Sequence, residues 1–283
     1  MKPQTTHKKL FVLKKSGEHD VFSSEKVRHS LQKAGASPEV ITTIIESLES
    51  ELYDGITTRE IYNRAFRLLK KSNPFTASRY KLKKAIYELG PTGFPFEKFI
   101  AAILSNSGYK VQVGEILQGK CVTHEIDVIA KKGGTTLLME CKFHGTEGKK
   151  TDVKTPLYID SRFRDIKNHK NDFYFDEGWV VTNTAFTEDA VQYAKCSRLK
   201  LLSWNLPKGN ALKDRIDHTG LYPITVSNLL TQREKQFLLS RDVVLCRELI
   251  NDQFFLDHLG VSDKRKKKIL NEMEILCKGT RAE

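Results

Sequence analysis

Apolar residues recur at helical spacing through the first ninety positions of the chain. Val27, Leu31 and Ala34 follow Ser23 and Ser24, either of which can cap a helix that Gly35 would close. Ile41, Ile44, Ile45 and Leu48 repeat the spacing behind Ser37 and Pro38, an N-cap followed by the residue preferred at the first helical position. In "DGITTREIYNRAFRLL", Thr57 and Glu60 stand three apart as a capping box. Ahead of these helices, "KLFVLKK", "SGEH" and "DVF" read as strand, turn and strand. A fourth helix is expected from about Thr76 to Leu89, ended by Gly90–Pro91.

Past Gly90 the texture changes. "FPFEKFIAAILSNSGY" predicts an amphipathic helix with Phe96, Phe99, Ile100, Ile103 and Leu104 on one face and Gly108 beyond its end. "KVQVGEIL", "HEIDVIA" and "TTLLMECKF" predict short strands, and the apolar run of "EGWVVTN" suits a buried parallel strand. "FTEDAVQYAKC" predicts a helix and "LKLLSW" a last strand. Strands alternating with helices predict an α/β layer. From about residue 220 the pattern is helical again, ending in a basic tail. The expected organisation is therefore multidomain α/β: a helical module with a short strand pair over 1–90, an α/β core over 91–208, and a small helical basic domain over 209–283.

Acidic residues interrupt the apolar strands of the core. "EIDVIA" and "TTLLMECKF" flank Lys131-Lys132-Gly133-Gly134, a hairpin turn. With Gly133 and Gly134 at its centre, residues whose numbers sum to 267 pair across it, which sets Asp127 opposite Glu140. Side-chain alternation puts Lys142 on the face of Glu140 and directs Met139, Cys141 and Phe143, with Ile126, Val128 and Ala130, toward the core. Two opposed carboxylates repel unless a cation lies between them. Hard oxygen ligands suit Mg²⁺ or Mn²⁺, and a lysine one pleat away can orient an attacking water or stabilise phosphate charge. The competing arrangement is a plain cross-strand ion pair between Glu125 and Lys142.

Composition adds a partner. The formal charge of +12 over 283 residues favours a polyanion, usually nucleic acid. Cys121, Cys141, Cys196, Cys246 and Cys277 are odd in number and form no CxxC pair, which argues for reduced thiols in a cytoplasmic setting and against a zinc knuckle. No stretch approaches the roughly 20 apolar residues of a membrane span. The opening residues lack the apolar run of a signal peptide.

The stretch "PTGFPFEKFIAAILSNSGYKV…HEID…MECK…VVTNTAFTEDAVQYA" resembles the PD-(D/E)xK restriction-endonuclease superfamily in its Mrr-like branch, over roughly residues 90–205. That resemblance implies a metal-dependent endonuclease in which Asp127 and Glu140 bind the metal and Lys142 serves the attacking water. Glu97, in the leading helix, would be a further acid of the site. Many Mrr-like enzymes carry a glutamine and a tyrosine four apart after the lysine. Here Lys154 and Tyr158 hold those places, and with Arg162 and Arg164 they are expected to contact the DNA backbone. His124 and His144 flank the site in structural or phosphate-contacting roles.

"FVLKKSGEHDVFSSEKV" and "LYDGITTREI" resemble the ATP-cone of ribonucleotide reductases and of their repressors. The resemblance implies a triphosphate, ATP or dATP, held by Val12, Lys14, Lys15, Asp20, Ser23, Lys26 and Thr58. Lysines and a helix N-terminus converging on phosphates make physical sense of those positions. No P-loop pattern accompanies them, so the nucleotide is expected to be sensed rather than hydrolysed. In that family occupancy commonly changes oligomeric packing, so a nucleotide-dependent homo-oligomer is expected. Near the C-terminus, "FFLDHLGVSDKRKKKIL" loosely resembles a helix–hairpin–helix element whose Lys266 and Lys267 would touch DNA phosphates. The alternative is a nucleotide-responsive DNA-binding regulator built on an inactive nuclease fold.

Overall fold

The computed structural model describes residues 10–14, 17–169 and 173–278. The chain divides into two compact units, Met1–Leu82 and Lys83–Glu283.

In the first unit, β1 (Phe11–Leu13) and β2 (His19–Val21) pair antiparallel, as the pattern predicts. Helix α1 (Ser24–Lys33) starts at Ser23, whose Oγ accepts the Lys26 N–H, and α2 (Pro38–Ser50) starts at Ser37 in the same way. A two-residue strand, β3 (Ile56–Thr57), completes the sheet by running parallel to β1. It leads into α3 (Thr58–Ser72), capped by the Thr57–Glu60 box. The core gathers Val12, Leu31, Ile41, Ile44, Leu48 and Leu69. The expected fourth helix is two: α4 (Pro74–Tyr80), capped by Asn73, and α5 (Leu82–Tyr87), with Lys81 closing the first.

The second unit takes in α5 from Lys83 and continues with α6 (Phe94–Asn106), whose Phe96, Phe99, Ile100 and Ile103 are buried. Strands β4 (Lys110–Gln118), β5 (Thr123–Lys132) and β6 (Thr135–Lys142) form an antiparallel meander. A short β7 (Lys150–Thr151) precedes α7 (Lys154–Lys167), β8 (Glu177–Thr182), β9 (Ala185–Phe186), α8 (Glu188–Ser197) and β10 (Lys200–Leu202). The main sheet has the order β10-β8-β6-β5-β4, with β6, β8 and β10 parallel, while β7 and β9 form a separate parallel pair. Ile159, Phe163 and Ile166 of α7 pack on Ile129, Leu138 and Val180 of the sheet. That packing needs a bare backbone at Gly178, because a Cβ there would lie 2.5 Å from the Phe163 ring.

Helices α9 (Leu212–Thr219), α10 (Gln232–Ser240), α11 (Cys246–Asn251), α12 (Phe254–His258) and α13 (Asp263–Cys277) complete the unit. They are tied to its other elements by specific contacts. Thr225 Oγ1 donates to Ala85 O at 2.7 Å, and Lys98 Nζ meets Asp242 Oδ1 at 2.7 Å. The buried Lys235 reaches Thr225 O at 2.8 Å and Glu88 Oε2 at 3.4 Å. Among the described residues no helix is long and apolar enough to cross a membrane.

Candidate active site

The β5–β6 hairpin has the expected register. Its turn residues Gly133 and Gly134 have φ of +56° and +82°, the two left-handed residues of a type I′ turn, and the ladder runs from Lys132↔Thr135 to Val128↔Met139. The ladder ends one step short of the pairing that would set Asp127 against Glu140. On the other side, the β4–β5 ladder passes from Val113↔Val128 to Glu115↔Ile126 and skips Asp127, opposite a Gly114 with φ +70°. Asp127 alone in β5 enters neither ladder. Released from both, it turns its carboxylate to the neighbouring strand, where Oδ2 accepts the Cys141 N–H at 2.6 Å.

Asp127 and Glu140 still influence each other strongly. Burial raises the carboxyl of Glu140 to about 7, and the Asp127 charge adds to the rise. Asp127 is also raised, mainly by burial, while the Cys141 amide, Arg162 and Lys142 pull the other way. Glu97, in the first turn of α6, is raised to about 7 by burial and then by Asp127, Glu125 and Glu140. The fold thus brings Glu97, Asp127, Glu140 and Lys142 into one electrostatic cluster, with Lys142 exposed and the three acids half-buried. Met139 enters the core as expected, whereas Cys141 and Phe143 are only partly covered.

Arg162 changes the picture drawn from sequence. Expected at the DNA backbone, it points inward from α7, its side chain 12% exposed. Nη1 lies 2.5 Å from Glu140 Oε1, Nη2 donates to Glu125 O, and the guanidinium sits 5.6 Å from the Tyr158 ring centroid. A buried carboxylate needs a cation, and α7 places this one over the strand end. Arg162 is thus the cation paired with Glu140, and among the described residues no ion pair joins Glu125 to Lys142. Glu140 Oε2 remains buried with no hydrogen-bond partner.

That orphaned oxygen and the carboxylate of Asp127 are hard donors of the kind that suit a divalent cation. Among the described residues no three His, Cys, Asp or Glu side chains gather closely enough to cage a metal. Two carboxylates still suffice for Mg²⁺, which keeps waters and takes substrate phosphate oxygens as its other ligands.

His124 and His144 both find partners within the fold. His124 Nε2 meets Asp165 Oδ2 at 2.8 Å, and Asp165 also accepts the Cys121 and Val122 amides, clamping the β4–β5 turn. His144 starts a directional chain that sequence does not show. Its Nε2 lies 3.0 Å from Thr151 Oγ1, which donates to Thr182 Oγ1 at 3.1 Å, which donates to Lys142 O at 2.8 Å. Asn183 fastens His144 at both its N–H and its carbonyl. Threonines and an asparagine ending a strand carry no sequence signal for this, because Thr182 and Asn183 meet their partners 31 to 40 residues away.

In the first unit, a pocket of about 270 Å³ is lined by Val12, Lys14, Asp20, Ser23, Lys26 and Thr58, with Tyr62 and Tyr80 among its apolar walls. Lys14 and Lys26 flank Asp20 at 3.2 and 3.1 Å, and those lysines, Lys26 first, hold its carboxyl at about 2. Six of the seven residues expected to bind nucleotide thus line one pocket; Lys15 lies outside the described residues. Elsewhere, Lys154 and Tyr158 are exposed along α7. Lys267 is exposed on α13, but Lys266 is engaged with Asp257 at 2.6 Å.

A protein of Archaeoglobus fulgidus, described as uncharacterized, is 32% identical over 174 residues, which are 61% of this chain and 97% of that protein. The crystal structure of a protein of unknown function, AF1548, aligns at 30% identity over 67% of this chain and all of its own, with a TM-score of 0.56. The chain belongs to the AF1548-like family. Its AF1548-like C-terminal domain spans residues 222–277. Ahead of that domain, this AF1548-like protein joins an ATP cone domain over 10–88 to a restriction endonuclease domain of the Mrr catalytic type over 91–206. The MspJI restriction endonuclease, solved with a 27-mer oligonucleotide, aligns at 13% identity over 59% of this chain and 36% of its own, with a TM-score of 0.36. That likeness is too slight to bear on mechanism.

Proposed function

We propose that this AF1548-like protein is a metal-dependent DNA endonuclease that hydrolyses phosphodiester bonds under the control of ATP or dATP in its cone. The observation that carries the reading is the buried, unpartnered Glu140 Oε2 beside Asp127 in an endonuclease-type domain. Asp127 and Glu140 would hold Mg²⁺ or Mn²⁺, which supplies charge neutralisation at the scissile phosphate and acidifies water.

Around that ion the chain's own residues divide the work. Lys142, exposed at the end of β6, orients the attacking water and offsets charge as the phosphate expands. Arg162 favours the ionised form of Glu140 against the burial that raises it, and holds its Oε1, leaving the second oxygen unpaired. Glu97, raised to about 7, can take or give a proton near neutral pH. The net charge of +12 suits a DNA duplex, with Lys154, Tyr158 and Lys267 exposed for its backbone. Double-strand cutting takes two active sites, so a homo-oligomer whose association follows nucleotide occupancy links the cone to cleavage. A role in restriction of foreign DNA follows from the family likeness.

The test is incubation of purified protein with supercoiled plasmid and Mg²⁺ or Mn²⁺, without nucleotide and with ATP or dATP, beside Lys142→Ala. Metal-dependent nicking lost in the variant supports the nuclease. Absence of nicking in every lane, with both proteins retarding DNA equally, overturns it in favour of a DNA-binding regulator.

A further inference from the structure

The C-terminal helices carry a stack of planar groups that the nuclease reading does not use. Phe254 and His258 stand four apart on α12, with ring centroids 5.9 Å apart and 28° between planes. His258 in turn stacks on Phe237 of α10 at 5.6 Å and 17°. The Arg241 guanidinium, four residues beyond Phe237, lies 5.7 Å from that ring. Two i, i+4 pairs from separate helices thus join into one ladder, in the order Phe254, His258, Phe237, Arg241.

The ladder is open at one end. Phe254 is 62% exposed, and the Phe255 ring stands at 5.8 Å and 74° to it. An exposed phenylalanine at the end of a stack offers a π-face at little further ordering cost, since its orientation is already set by the rungs behind it. The charge nearby is mixed: Asp252 Oδ1 accepts the Phe254 N–H at 3.0 Å and Asp263 opens α13, while the lysines are the more numerous. The Lys266–Asp257 ion pair brings the start of α13 beside α12, and Lys264, Lys267 and Lys268 are exposed on that start.

We infer that this ladder is a stacking platform for an unpaired nucleobase, with the basic start of α13 following the strand's phosphates. A π-face flanked by lysines matches single-stranded nucleic acid, in which every base exposes a face, better than duplex, whose bases cover one another. The inference rests on nucleic acid being the substrate of the site proposed above, and it extends that reading: DNA is held at a frayed, looped or unwound segment, away from Glu140.

The test measures anisotropy of a short fluorescein-labelled single strand and of its blunt duplex in EDTA, with the full chain, Phe254→Ala and Phe254→Trp. Phe254→Ala is expected to lose about 5- to 100-fold in affinity for the single strand while keeping its duplex affinity. Phe254→Trp is expected to retain both, with its indole fluorescence quenched by the strand. Unchanged single-strand binding by Phe254→Ala overturns the platform. So does an equal loss on strand and duplex, or a fall in native mass showing that the face is covered by a second copy. Plasmid nicking measured alongside separates the two readings. Nicking with ladder-independent strand binding sinks only the platform, and ladder-dependent binding without nicking sinks only the nuclease.

Discussion

Arg162 on α7 and Glu140 on β6 form a 2.5 Å ion pair at the centre of the candidate site, each side chain less than one-fifth exposed. Such a contact lowers the carboxyl of Glu140 against the burial and the Asp127 charge that raise it. Arg162→Ala therefore leaves Glu140 protonated to higher pH and less able to hold a metal. The acid limb of the cleavage–pH profile should move up by about one unit. An unmoved limb would show that Glu140 ionisation does not control the reaction.

Proton linkage makes a second prediction, independent of catalysis. Glu97 and Glu140 titrate at about 7 in the fold, against an ordinary 4.5. Between those values the folded chain holds protons that the unfolded chain has released, so stability falls as pH rises through that window. A divalent ion at Asp127 and Glu140 offsets the loss above it. Thermal melts should show Mg²⁺ or Mn²⁺ raising Tm by roughly 2–4 °C at pH 8, for about 1 kcal/mol, and hardly at all at pH 5. Equal effects at both pH values would place the ion elsewhere.

The chain from His144 through Thr151 and Thr182 to the Lys142 carbonyl fixes the strand end that carries the lysine. Thr182→Val keeps the shape and removes the link. Urea unfolding should register a loss of about 1–3 kcal/mol from the stranded groups. Turnover should fall while KM holds, and Thr182→Ser should restore it. A purely structural role would lower stability and leave kcat untouched.

In the cone, Lys14→Ala and Lys26→Ala each remove one cation from the pocket. Loss of a charge-assisted contact to phosphate is expected to weaken ATP or dATP binding about 10- to 100-fold by calorimetry. Wild-type affinity in both variants would place the triphosphate outside this pocket.

Light scattering of the full chain without nucleotide, with ATP and with dATP should give different masses for at least two of the three. One mass throughout would remove association as the means of control.

Much of the site was legible in the chain because its local rules are strict. Gly133–Gly134 allows one tight turn, the turn sets the register, and the register carries Asp127 of β5 toward Glu140 and Lys142 at the end of β6. Ser23, Ser37 and the Thr57–Glu60 box begin helices where side-chain oxygens can reach orphaned amides, a contact made within four residues. The two lysines, aspartate and threonine of the cone pocket were likewise recognisable as a set. Tertiary structure decided the rest, because it depends on partners distant in sequence. No local pattern says that β3 pairs with β1, or that Asp127 leaves both ladders to meet the Cys141 amide. Arg162 reads as one more basic residue on a helix until α7 packs across Gly178 and aims it at Glu140, 22 residues away. Hydrogen bonding within a turn is set by the chain's own geometry, whereas the fate of a buried charge is set by whatever the fold packs against it.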